Sequence, residues 1–325
     1  MNKQVFQIAL ILGLQLSLAA SAQQEAVASQ QVPGRKITLH VPNFTRGLVE
    51  KWVSEYRKTK PGVDFQFVSG KSQNPENSIS LTIDGDGVQV ARYAVLPVTT
   101  KGSQAEQLVG SHALNAKKLR NLFFVRDDFD DEQKATKAEQ QLHIITGNSQ
   151  QSASRLYAAH FHREVADYKG KKIQGDDSFL NTAVSRDPLG VTLNSLSNIF
   201  DLESRQLRPS LALLPLDIDK QGRQTLGKGR LDDILLLLER EEYAEIPVGS
   251  VGLSYSHANP VLNDFARWVL ATGVAYVRQY GLLSLSPKEL AVQQRQRRTE
   301  RPGAEIKKCR VKKSTSKHME KTNRD

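Results

Sequence analysis

Cysteine is almost missing from this chain of 325 residues: the single one is Cys309, close to the C-terminus. One thiol cannot form an intramolecular disulfide, and no Cys or His cluster surrounds it to build a metal centre. The fold must therefore be held by its own core. Catalytic signatures are missing too. There is no Gly-x-Ser-x-Gly elbow, no His-Glu-x-x-His pair and no Cys nucleophile in the body of the chain, so no hydrolytic constellation is visible. No cofactor motif stands out either. Long apolar runs are absent after residue 22. The longest is Ile234–Leu238, with Leu231 just before it; that reads as one buried face of a helix, far short of the about 20 residues a membrane span needs.

The first 22 residues are different. Lys3 gives a positive start, Val5 to Leu18 is mostly apolar, and Ala20-Ser21-Ala22 places small residues where a signal peptidase reads them. This order is that of a cleavable secretory signal. Residues 1–22 are expected to be the signal peptide and 23–35 a polar leader. The expected location is periplasmic or otherwise exported, soluble after cleavage, with no nucleic-acid partner.

A net charge of +10 invites a nucleic-acid reading until it is located. Residues 295–325 hold twelve Lys or Arg against four Asp or Glu, a net +8 that leaves only +2 for the rest. The basicity belongs to the tail. With few apolar residues, 295–325 is expected to be a disordered basic tail. It reads as a solvated extension; the functional alternative is attachment to an anionic envelope surface.

Alternation in Lys36–Val41 predicts a strand. Leu48, Val49, Trp52, Val53 and Tyr56 recur at helical spacing, and Val63–Val68 alternates again. Strand, helix, strand argues for a parallel sheet in an α/β domain. Ile79–Ile83 and Gly87–Val98 flank Asp84-Gly85-Asp86-Gly87, which reads as a hairpin turn rather than a calcium loop. A short helix is expected over 115–124 and a solvated acidic loop over 127–132. A strand is expected over 141–146, then a small polar turn and a helix carrying Leu156 to Val165. His160 and His162, two apart, do not make a metal pair. Residues 181–195 read as loop and strand, 211–218 and 246–256 as strands, and 260–280 as one helix; 229–240 is amphipathic and of uncertain type.

Two places share one design: a strand runs into a polar turn and then a helix start. They are Pro42-Asn43-Phe44-Thr45 and Gly147-Asn148-Ser149-Gln150-Gln151-Ser152-Ala153-Ser154. A helix start offers unpaired N–H groups and a partial positive charge, which suit an anion. The same residues also suit ordinary N-capping.

In VPNFTRGLVEKWVSEYRK, HALNAKKLRNLFF, HIITGNSQQSASRLYAAHF and NPVLNDFARWVLATGVAYVRQYGLLSLS, in that order, the chain resembles the periplasmic phosphate-binding proteins of ABC transporters, in the class of two-lobed solute-binding proteins. Ser152-Ala153-Ser154 stands where that family has Ser-Gly-Thr, Asn148 where it has Arg, and Gln150 where it often has Asp. The resemblance implies an α/β, two-lobed periplasmic-binding-protein-like fold with two chain crossovers between lobes. Lobe 1 would be 36–98 plus 245–294, and lobe 2 would be 99–244. It implies a non-enzymatic binder of a small oxyanion, phosphate being the first choice. The ligand would lie between two helix starts and be presented to a membrane ABC permease. The ligand residues it implies are Asn43, Phe44 and Thr45 from one lobe and Ser149, Ser152, Ala153 and Ser154 from the other, Ala153 through its backbone N–H. The rival reading is a ligand-free interaction or scaffold protein of the cell envelope; a hydrolase ranks third, having no base beside a nucleophile.

Overall fold

The computed structural model describes residues 35–68, 74–110, 112–125, 140–149 and 151–299. The signal and leader, the acidic run, Gln150, Cys309 and the tail beyond Thr299 lie outside the described residues.

The chain opens with β1 (Arg35–His40), α1 (Asn43–Thr59) and β2 (Val63–Phe67). β1 and β2 pair in parallel, as a strand–helix–strand unit requires. α1 buries Leu48, Val49, Trp52, Val53 and Tyr56, the stripe set by its spacing. β3 (Ser78–Ile83) lies beside β1, also parallel.

The strand β4 (Val88–Thr100) is the organising element. Its first half pairs with β9 (Val248–Tyr255), and its second half with β7 (Gly190–Ser195) and β8 (Leu211–Leu213), all antiparallel. β4 thus belongs to two sheets and carries the chain from one lobe to the other. The strand order is β2-β1-β3-β9-β4-β7-β5-β6, with β5 (His143–Gly147) and β6 (Lys171–Ile173) at the far edge. The return path reaches β9 through Pro247, whose carbonyl accepts from the Val95 N–H at 3.1 Å. The two crossings are therefore bonded to each other. The fold is a two-lobed α/β structure with two chain crossovers.

The first lobe's core joins α1 to α9 (Pro260–Ala271) through a ring cluster. Tyr56 meets Phe265 edge-on at 5.1 Å between centroids, and its hydroxyl donates to Asp264 at 2.9 Å. The second lobe packs α2 (Gln104–Val109), α3 (Ala116–Phe123), α4 (Ala153–His160), α5 (Ser178–Ser185), α6 (Leu196–Ile199), α7 (Lys220–Lys228) and α8 (Leu231–Arg240) around its own sheet. Phe123, Phe124, Tyr157 and Tyr168 form its aromatic centre.

The structure departs from the sequence reading in several places. β3 and β4 form no hairpin: both pair with β9, which lies between them. The loop 84–87 steps across β9 instead. Gly87 has φ of 142° there, and a β-carbon on it would fall 2.7 Å from the Leu253 carbonyl oxygen, so only glycine fits. The expected helix over 260–280 breaks at Thr272 and continues as a 3₁₀ segment, Gly273–Tyr280, whose first carbonyl accepts from the buried Trp52 indole at 2.7 Å. α4 stops at His160, and 231–240 is a helix. α10 (Pro287–Thr299) extends five residues into the stretch expected to be tail.

Candidate functional site

A cavity of about 360 Å³ opens between the lobes. His40, Asn43, Phe44 and Arg46 line one wall; Ser149, Gln151, Asp176, Asp177 and Asn198 line the other. The first wall is the start of α1. Its N-cap is Pro42, whose side chain makes no capping hydrogen bond. Its first turn carries no acidic residue. A 17-residue helix thus brings an uncapped start to the cavity. Phe44 packs on the buried Tyr93 ring at 5.3 Å, which fixes the turn from behind.

Behind the second wall lies the start of α4, whose donors are already taken. The Ser152 hydroxyl donates to Asp177 Oδ1 at 2.7 Å, and the Ala153 N–H donates to Asp177 Oδ2 at 2.6 Å. The Ser154 N–H turns back to Ser152 Oγ, and Ser154 Oγ accepts from the Gly147 N–H at 3.0 Å. Asp177 itself is held by Asn194, whose Nδ2 donates to the Asp177 carbonyl at 2.8 Å. Burial pushes the Asp177 carboxyl up to about 6, against the two hydrogen bonds that favour its ionised form; Asp176 nearby adds to the rise.

The seven residues expected to hold a ligand therefore separate. Asn43, Phe44 and Ser149 meet at the cavity. Thr45 is fully buried and donates its hydroxyl to the Pro42 carbonyl at 2.8 Å. Ser152, Ala153 and Ser154 are buried behind the Asp177 carboxylate. The residue that sequence reasoning missed is Asp177. It lies 24 positions from Ala153, in the connection before α5. The only local trace is Gly175-Asp176-Asp177-Ser178, which reads as a helix-starting turn.

Asp84, weighed above as a metal ligand, is spent on the fold: it accepts from the Tyr93 hydroxyl at 2.6 Å and from the Ser250 N–H at 2.7 Å. The ring of His160 donates from Nε2 to the Ala244 carbonyl at 2.8 Å. Among the described residues no group of three His, Cys, Asp or Glu could hold a metal, and no helix is long and apolar enough to cross a membrane.

No protein-family model matches the sequence, and no curated protein matches it. Solved structures do resemble it. A possible phosphate binding protein from Planctomyces limnophilus is 12% identical, with a TM-score of 0.45, over 81% of this chain and 96% of that one. An ABC-type phosphate transport receptor from Vibrio cholerae is 13% identical, with a TM-score of 0.46, over 77% and 100%. The regulatory domain of CcmR from Synechocystis, in complex with 2-PG, is 12% identical, with a TM-score of 0.44, over 73% and 97%. Identities this low leave the ligand to be argued from the site.

Proposed function

We propose that this chain is an exported solute-binding protein, not an enzyme, that holds a small anionic solute between lobes 36–98 with 245–294 and 99–244. Lobe closure would present that solute to an ABC-type membrane permease. One observation carries the reading: the uncapped start of a 17-residue helix lines an interlobe cavity. Backbone N–H groups at Asn43 and Phe44, with the helix dipole behind them, suit one anionic group. Ser149 adds a hydroxyl from the opposite lobe. The oxyanion that the sequence resemblance implies, phosphate, is the first probe.

A thermal-shift panel of phosphate, sulfate, molybdate and small carboxylates on the purified protein tests this. At least one anion should raise the melting temperature beyond a chloride control of equal ionic strength. A flat panel would favour the second reading, a ligand-free interaction protein of the cell envelope. That reading is favoured by one observation, the occupied donors at the start of α4. Export is tested separately: mass spectrometry of secreted material should find an N-terminus at Gln23, after the Ala20-Ser21-Ala22 pattern, and an intact Met1 would overturn it.

A further inference from the structure

We infer that Asp177 is a specificity-determining residue: its carboxylate is a tethered occupant of the anion seat at the start of α4, and it bars free oxyanions from the second wall of the cavity. The inference concerns that wall alone and stands apart from whether α1 binds a solute.

The seat has the form of an anion site. Two donors, the Ser152 hydroxyl and the Ala153 N–H, each reach a different oxygen of one carboxylate, at 2.7 and 2.6 Å. Both residues are almost fully buried, at 1% and 3% exposure. The occupant is built in. Asn194, itself fully buried, grips the Asp177 backbone and is in turn held by the Ser195 N–H and Asn198 Nδ2. The missing side chain of Gly147 leaves the room: a β-carbon there would lie 2.3 Å from Ser152 Oγ and 2.6 Å from Asp177 Oδ1. Among the described residues no cation forms an ion pair with this carboxylate. Its charge is met by donors of the seat and by the helix start, as a bound anion's would be.

A free oxyanion entering the cavity therefore meets two obstacles on this side. The best donors are spent, and a like charge lines the wall with Asp176 beside it. Like charges a few ångströms apart in a partly desolvated site repel strongly.

Chemical rescue on the full-length protein tests this. Asp177→Ala removes the carboxylate and leaves the donors; formate, at about ten times its dissociation constant, should refill the seat and raise the melting temperature by about 2–4 °C over chloride. The wild-type protein should respond to formate by no more than chloride does. Asp177→Asn keeps the packing and removes the charge. Calorimetry with inorganic phosphate should find it binding at least about tenfold more tightly than wild type. A purely structural role would leave that affinity unmoved. Should Asp177→Ala not fold in chloride, Asp177→Gly with acetate replaces it, since acetate restores the deleted atoms. Refolding in acetate supports the inference, and failure in acetate and chloride alike overturns it. No formate response in folded Asp177→Ala, or equal phosphate binding by Asp177→Asn and wild type, overturns it as well.

Discussion

A β-carbon on Gly147 would lie 2.6 Å from Asp177 Oδ1, inside any permitted contact. The last residue of β5 is thus sized by a carboxylate 30 positions later in the chain. Gly147→Ala should push that carboxylate off its donors or strain the turn. Destabilisation of about 1–3 kcal/mol is expected, the range for overpacking a tight core, measured by urea unfolding.

Ser152→Ala removes a hydrogen bond to a charged group and should cost about 1.5–3 kcal/mol. Ser154→Ala leaves the Gly147 N–H without its acceptor and should cost about 1–3 kcal/mol. Because both side chains are buried behind Asp177, anion affinity measured well below the melting temperature should not change. A large loss of affinity in either variant would place the ligand at these hydroxyls after all.

The pH dependence of stability carries a sign that differs from that of a surface carboxylate. Burial raises the Asp177 carboxyl from 3.8 to about 6 on folding. Between those values the folded protein keeps a proton that the unfolded chain releases. Protonation therefore favours the fold, and this group's contribution falls as pH rises through about 6. Asp177→Asn lacks the titration. The stability of wild type relative to Asp177→Asn should drop by about 2–2.5 kcal/mol from pH 4 to pH 7. Urea melts of both proteins across that range decide it; a difference independent of pH would refute the shift.

Trp52→Phe should cost about 0.5–1.5 kcal/mol for the lost hydrogen bond from the indole to the Gly273 carbonyl. It should also loosen the 3₁₀ segment, seen as faster amide exchange over 273–280.

Local pattern alone makes some of this legible. The α1 stripe of Leu48, Val49, Trp52 and Tyr56 repeats at helical spacing, and all four are buried. The β1 and β2 alternation likewise shows within six residues. What stayed hidden depends on partners far along the chain. Asp84-Gly85-Asp86-Gly87 has hairpin chemistry, but β9, some 160 residues later, inserts between the flanking strands. The α4 start has the residues of a ligand loop, and nothing within it reveals that Asp177 caps it. The start of α1 was readable because its proline cap and polar turn act locally; the fate of the donors at α4 was not.

The strand shared by both sheets has a mechanical meaning. With β4 running through the two lobes and its Val95 N–H tied to Pro247 on the return path, the lobes are joined by a two-stranded torsion bar rather than a flexible tether. An opening of the lobes would be expected to distort the backbone between Ala94 and Val95, where the strand changes partners. Hydrogen exchange at Val95 reads that motion directly.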